Sequence, residues 1–317
     1  MTATAPPATG VRVPWEDLPT AVRDAVADVL GAEVVHAVTQ PGGFSPGVAT
    51  RVRTATGHRA FVKAVSGDAN PDSPRFHRTE ARNTAALPVT VPAPRLLGTY
   101  DDGTWVALVY EDVPGRQPHV PWQRTELERV LGAVADLGRA LTPSPLDAPP
   151  AATALADIFG GWQELLRHRD LAAPLDPWTR THLPRLAELS APWPEAVTGD
   201  TLAHGDLRAD NILLTDDGRT VFVDWPHALR STPWFDLLVM LPCVRAQGGP
   251  DPEELFTAHP LGTGADPDAV TRALAALTGF FLYHSLLPAP PGLPTLRAFQ
   301  RAQGDAALAW LRSRPQP

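Results

Sequence analysis

The stretch from Leu202 to Trp225 constrains the fold more than any other part of the chain. Two apolar runs, Ile212 to Leu214 and Val221 to Val223, flank the turn Asp216-Asp217-Gly218 and read as a hairpin. Asp206 and Asn211 lie on the loop that leads into the first run, and Asp224 closes the second. Such a hairpin brings these oxygen-bearing side chains to one edge. Carboxylate and amide oxygens at such an edge suit Mg²⁺, a hard cation that keeps waters and substrate phosphates among its ligands. The chemistry implied is phosphoryl transfer.

The basic residues point to a second position. Lys63 is the only lysine, while every other basic side chain of this kind is arginine. Isoleucine is confined to Ile158 and Ile212, asparagine to Asn70, Asn83 and Asn211, and proline reaches 36, a pattern expected of GC-rich codon usage. Where such drift favours arginine, a surviving lysine marks a place where a compact ammonium fits and a planar guanidinium fork does not. Lys63 is therefore a candidate phosphate-facing residue.

The chain changes texture once, which predicts an α+β molecule of two lobes, residues 1–113 and 114–317. In the first, Thr20 is read as the cap of a helix through Leu30 that stops at Gly31. Strands are expected at 33–39, 48–54 and 59–65, and then a helix from Ser73 as N-cap with Pro74 following, ending near Leu87. Residues 96–100 and 105–110 flank Asp101-Asp102-Gly103 as a hairpin. The connection between lobes falls at Glu111 to Val113. Beyond it, Thr125 and Glu128 suggest a capping box before the stripe Leu127, Val130, Leu131, Val134 and Leu137. Further helices are expected at about 153–171, 177–190, 233–246, 267–287 and 295–312.

Several function classes are excluded. A formal net charge of -8 argues against a nucleic-acid backbone binder. A single cysteine, Cys243, cannot form an internal disulfide and reads as a small buried hydrophobe. No apolar run nears the roughly 18 residues of a membrane span, and Met1 to Gly10 lacks the pattern of a secretory leader, so a cytoplasmic location and no membrane partner are expected. The histidines show no metal-ligand spacing, and H-E-x-x-H, C-x-x-C, G-x-S-x-G and Walker sequences are missing. Pro41-Gly-Gly-Phe-Ser-Pro-Gly47 lies between two strands, where its amides, at Gly43 and Ser45 among others, either cover phosphates or form a plain turn.

His204-Gly-Asp206-x-x-x-x-Asn211, the apolar strand after it, and Asp224-Trp225 resemble the aminoglycoside phosphotransferase family, among the kinase-like small-molecule phosphotransferases. The resemblance covers about residues 33 to 312. It implies a protein-kinase-like fold, with a small antiparallel sheet and one main helix above a larger helical lobe, and ATP and Mg²⁺ as cofactors. It implies that Asp206 orients the acceptor hydroxyl and takes its proton, while Asn211 and Asp224 hold metal. By the same resemblance Lys63 reaches the α/β-phosphates, Glu80 pairs with it, and backbone groups of Glu111 and Val113 bind adenine. Asp236 would brace the catalytic loop, and His204 would shape it.

The acceptor implied is a hydroxyl on a small molecule: an aminoglycoside, another antibiotic whose phosphorylation confers resistance, or a metabolite such as a sugar or amino alcohol. Arg208 puts a cation near where a polycationic aminoglycoside would lie, so the family name does not fix the acceptor; Pro226, after Asp224 and Trp225, stands where kinases carry glycine and some relatives a second acid, and by removing an N–H and fixing φ it bears on the metal site. Asp157, Glu164, Asp200, Asp210 and His284 are the candidates for facing it. Two alternatives stand beside this reading. A protein kinase is disfavoured by the short stretch from Asp224 to Asp236, and a non-catalytic nucleotide-binding or regulatory module by the intact motif set. Monomer and homodimer fit the sequence equally.

Overall fold

The computed structural model describes residues 5–315. In chain order its elements are α1 (Thr20–Leu30), β1 (Val34–Thr39), β2 (Val48–Thr54), β3 (Arg59–Ser66), α2 (Ser73–Ala86), β4 (Leu96–Asp101) and β5 (Trp105–Glu111). There follow β6 (Gly115–Arg116), α3 (Arg124–Ala140), α4 (Ala151–Ala154), α5 (Gly161–Arg167), α6 (Pro177–Ser190) and α7 (Trp193–Ala196). The remainder comprises β7 (Thr201–Ala203), β8 (Ile212–Thr215), β9 (Thr220–Phe222), β10 (Leu229–Ser231), α8 (Phe235–Ala246), α9 (Pro252–Ala258), α10 (Pro267–Ser285) and α11 (Leu296–Ser313).

The first five strands form one antiparallel sheet in the order β1-β2-β3-β5-β4. Alternation along a strand sends neighbouring side chains to opposite faces. Ala60, Val62 and Ala64 of β3 therefore share a face with Ala107 and Val109 of β5, and α1 covers it with Val22, Val26 and Leu30. Gly98 of β4 lets α1 approach, since a Cβ there would lie 2.7 Å from Val29. Phe61 belongs to the other face, with Leu108, Tyr110 and Ala81 of α2. Lys63 falls on that second face by register, two residues after Phe61, and so points at α2.

The helices beyond β6 share a second core, in which Trp162, Leu165, Trp225 and Phe235 are fully buried. Its tightest crossing is glycine to glycine: a Cβ on Gly161 of α5 would stand 2.1 Å from the Gly279 carbonyl of α10. Trp162 seals the crossing by donating to the Ala275 carbonyl at 2.7 Å. Two small sheets, β6-β8-β9 and β10-β7, sit where this core meets the first one and carry the polar loop between them. Among the described residues no helix is long and apolar enough to cross a membrane.

Some local expectations need correction. Pro19, not Thr20, caps α1, and no side chain satisfies its first amides. At α2 the cap is Asp72; the oxygen that serves the free amides is Asn70 Oδ1, which accepts from Asp72 N–H and Ser73 N–H at 3.0 and 3.2 Å. The capping box does not form, because α3 starts at Arg124 and Glu128 pairs with that arginine at 2.8 Å. Glu126 instead binds the incoming chain through His119 N–H at 2.7 Å and Arg116 at 2.5 Å. The helix expected over 153–171 is broken into α4, α5 and a short 3-10 turn at Arg169–Ala172. The hairpin around Asp216 to Gly218, by contrast, is present as β8 and β9.

Candidate active site

Both cores end at one cavity of about 410 Å³ between the sheet and the helices. Gly43, Ser45, Lys63, Glu80, Glu111, Val113, Asn211 and Asp224 all line it, although they come from six places spread over the sequence. The sheet register delivers Lys63 from β3, and α2 presents Glu80 opposite. Lys63 Nζ meets both Glu80 oxygens, at 2.8 and 2.9 Å, and crosses to Asp224 Oδ1 at 2.6 Å. One ammonium thus ties β3 and α2 to the residue that follows β9.

Burial would lower the Lys63 pKa, but the carboxylates of Asp224 and Glu80 outweigh it and hold the ammonium charged, above its ordinary value. For Asp224 burial pushes the other way, and Lys63 overcomes it to keep that carboxyl ionised well below the usual range. Glu80 lies deeper, with its side chain 4% exposed, and there desolvation drives the carboxyl upward against the pull of Lys63. Asp224 leaves β9 with φ at 71°, and among the described residues it alone adopts positive φ without being glycine. Such a backbone costs of order 1–2 kcal/mol and is found where a side chain must be aimed.

The loop from His204 to Asn211 is braced from several sides. Asp236, at the start of α8, accepts from His204 N–H at 2.8 Å and Gly205 N–H at 2.9 Å. Burial raises its carboxyl to about 6, against these two amides, which lower it. His204 donates through Nε2 to the Val223 carbonyl at 3.0 Å and accepts Asp206 N–H at Nδ1 at 3.3 Å, which requires the neutral ring. Burial holds that ring neutral, lowering its pKa to about 4. Asn211 donates its amide to the Asp206 carbonyl at 2.8 Å and to Asp206 Oδ2 at 3.1 Å. Its amide oxygen is thereby turned away from Asp206.

Asp206 does not line the cavity. Arg208 Nη1 holds its Oδ1 at 2.5 Å, and the same guanidinium forks onto Asp210 at 3.0 and 2.9 Å. Burial raises the Asp206 carboxyl, opposed first by Arg208. Above this trio lies Phe44 from the loop 41–47, with its ring 5.3 Å from the Arg208 guanidinium carbon and edge-on to Phe299 of α11 at 5.0 Å. Arg208 as the partner of Asp206, and Phe44 as its cover, are features that sequence reasoning missed. The cation was visible, but not the way the 3-10 turn at Ala209–Asn211 folds it back onto residues two positions to either side.

At the junction of the lobes, the Glu111 side chain pairs with Arg95 at 2.9 Å. The Val113 carbonyl accepts from Gly115 N–H at 2.8 Å and from Arg51 at 3.0 Å, so the hinge carbonyl is already bonded. Of the five residues proposed to face an acceptor, only Asp210 reaches the cavity. Asp157 is exposed, Glu164 pairs with Arg167, Asp200 lies 4.0 Å from Arg230, and His284 is bonded to the Phe280 carbonyl within α10. Cys243 is buried beside Phe299, as expected of a small apolar side chain.

Residues 41–277 match the phosphotransferase enzyme family. An aminoglycoside 3'-phosphotransferase of Streptomyces fradiae is 33% identical over 132 residues, a stretch that covers 39% of this chain and 47% of that protein. The match thus spans about half of the relative's length. Among solved structures, a thermostable mutant of aminoglycoside phosphotransferase APH(4)-Ia in ternary complex with AMP-PNP and hygromycin B superposes with a TM-score of 0.62. It is 17% identical and covers 93% of this chain and 99% of its own. A choline kinase from Streptococcus pneumoniae superposes with a TM-score of 0.57 at 15% identity, over 92% of this chain and 98% of its own. The likeness in fold, a small antiparallel sheet beside a helical lobe, extends over nearly the whole length.

Proposed function

The chain belongs to the phosphotransferase enzyme family, and from that membership we propose that it is an ATP- and Mg²⁺-dependent kinase acting on a hydroxyl of a small molecule. The observation that carries the reading is Lys63, bonded at once to Glu80 and to Asp224 across the cavity between the two lobes. An ammonium fixed between two carboxylates is rigid before any ligand arrives, and phosphoryl transfer depends mainly on positioning and charge neutralisation. The 1–113 lobe then holds the nucleotide, and the 114–317 lobe the acceptor and the catalytic loop. AMP-PNP in the APH(4)-Ia complex supports ATP as the donor.

The residues fit Mg²⁺. The Asn211 amide spends its N–H groups on Asp206, which leaves its oxygen for a hard cation, and Asp224 supplies an ionised carboxylate. Among the described residues no group of three or more histidine, cysteine or acidic side chains forms a protein-only metal cage, consistent with a site completed by phosphates and water. Bound there, the cation would neutralise phosphate charge. Lys63 would hold the α/β-phosphates. At the hinge, with the Val113 carbonyl engaged, the Val113 N–H is the group left for the adenine edge.

Asp206 would accept the proton of the acceptor hydroxyl as its oxygen bonds to the γ-phosphorus and ADP leaves. Arg208 and Asn211 fix both carboxylate oxygens, so the base is oriented in advance. Arg208 also balances one of the two acids beside it, so the acceptor side offers a polycationic antibiotic little excess negative charge. An acceptor of low positive charge, an antibiotic or a metabolite, fits that balance better. The cytoplasm, where ATP is supplied, is the proposed location.

The test is Mg²⁺-dependent ADP release across a panel of aminoglycosides, macrolides, nucleosides, amino alcohols and sugars. Asp206→Ala should lower stimulated turnover by about 10²–10⁴-fold while ATP binding persists. Turnover unchanged in that variant would remove Asp206 from the mechanism, and failure to bind ATP would remove the kinase reading itself.

A further inference from the structure

We propose that Arg12, carried on an N-terminal strap, is a phosphate-binding cation of the nucleotide site, and that the strap sets the shape of the loop 41–47. The proposal rests on the nucleotide-binding reading above.

The strap runs flush along the loop. Thr9 bridges to Gly43 and Arg12 to Gly47, both in parallel. Gly43 N–H donates to the Ala8 carbonyl and Gly47 N–H to the Val11 carbonyl, each at 3.0 Å. A Cβ on Gly10 would stand 2.6 Å from the Ser45 carbonyl, so only glycine permits the approach. Two amides that a bare glycine loop would offer to phosphates are therefore spent on the chain's own N-terminal segment. The strap is anchored at its far side too, where Val11 N–H donates to the Gly292 carbonyl at 2.9 Å and Thr9 meets Thr295 at 3.1 Å.

What the loop loses in amides Arg12 replaces in charge. Its Nε donates to the Gln40 carbonyl at 3.1 Å, and its two terminal nitrogens to the carbonyls of Ser45 and Gly42. The loop carbonyls are thus gathered around a guanidinium, which lines the same cavity as Lys63 and Asp224. Asp224 and Asp210 are the carboxylates that act on it. Lys63 is already matched by two carboxylates and brings no surplus positive charge to a polyanion. Arg12 does, and as an arginine it keeps its charge when desolvated and suits phosphate geometry.

Titration calorimetry with AMP-PNP and with adenosine separates this role from a structural one. In Arg12→Ala, AMP-PNP affinity should fall about 10- to 100-fold, the scale of a hydrogen bond to a charged group, while adenosine affinity stays within about twofold. Arg12→Gln, which keeps an amide for the loop carbonyls and loses the charge, should show the same loss and guards against misfolding of the alanine variant. Lys63→Ala serves as the reference for a phosphate contact. Equal weakening of both ligands would make the strap structural only and overturn the proposal. Unchanged AMP-PNP affinity in both Arg12 variants, with Lys63→Ala impaired, would also overturn it and leave the nucleotide reading standing. A wild-type protein that binds no AMP-PNP would sink both.

Discussion

Two loops face each other across the cavity, and they differ in how much of their bracing is their own. The loop from His204 to Asn211 is braced partly by its own side chains, Asp206 by Arg208 and Asn211, and partly by the chain that follows it, His204 by Val223 and the backbone amides by Asp236. The loop from Pro41 to Gly47 has almost no bracing of its own. Its amides bind Ala8 and Val11, its carbonyls bind Arg12, and its aromatic tip rests on Phe299. The first carries its own ion pairs and hydrogen bonds. The second is shaped by contacts borrowed from both ends of the chain, so its position is a tertiary property.

The sharpest break of this comparison is Asp236→Ala. It leaves His204 N–H and Gly205 N–H without their partner in a buried place, at about 1–3 kcal/mol each. We expect stability to fall by about 2–6 kcal/mol in urea unfolding, with amide exchange rising over 203–211 and not over 41–47. Asp236→Asn keeps one acceptor oxygen and should recover part of the loss. Equal exchange in both loops would show that Asp236 does not brace the loop from His204 to Asn211 in particular.

The difference between the loops also governs how much of the molecule the sequence reveals. Lys63 stands out as the lone lysine, and strand alternation alone puts it on the face opposite Val62. Asn211 and Asp224 are legible at the cavity because they flank a single hairpin, whereas Asp206, earlier on the loop, stays outside the cavity lining. Asp236 is legible by resemblance, since it opens the next long helix. The strap is not legible, because Thr9 and Thr295 lie 286 residues apart and no pattern links them. The helix caps fail for a related reason. Which side chain reaches the free amides depends on the path of the preceding loop, so Asn70 rather than Ser73 serves α2. After the break that follows α4, α5 starts at Gly161, where it meets Gly279 of α10, a long-range contact that the local pattern does not show.

Acid probes the two sides with a smaller effect. Burial holds His204 of the catalytic loop at about 4 and His77 of α2 at about 3, against 6.5 in the unfolded chain. Between pH 6.5 and 4 the unfolded state binds two protons that the fold refuses, so these groups lose stability as pH falls through that window. Asp236 runs the other way. Its folded value of about 6 exceeds the ordinary 3.8, so the fold binds that proton first and gains as pH falls between 6 and 3.8. At 1.36 kcal/mol per unit the net loss from these three groups at pH 5 is about 2–3 kcal/mol. Glu80, raised to about 7, gains over the same window and offsets most of that loss, so the histidine is read by difference: His204→Asn should gain about 2 kcal/mol on the wild type between pH 7.5 and 5 in thermal unfolding. An unchanged slope in that variant would clear the catalytic loop of acid sensitivity.

The smallest effect isolates the borrowed loop. Phe44 is partly buried, edge-on to Phe299, with Arg208 on its face. An aromatic pair and a cation over a ring each contribute about 0.5–1.5 kcal/mol, so Phe44→Ala should cost about 1–3 kcal/mol in all. Because Arg208 keeps its salt bridges to Asp206 and Asp210 without the ring, the catalytic loop should retain its hydrogen-exchange protection. Exchange over 41–47 should rise, and Phe44→Leu, which still fills the space against Phe299, should restore most of it. If protection is lost over 203–211 as well, the ring is part of the brace on Asp206, and the two loops form one unit that moves together.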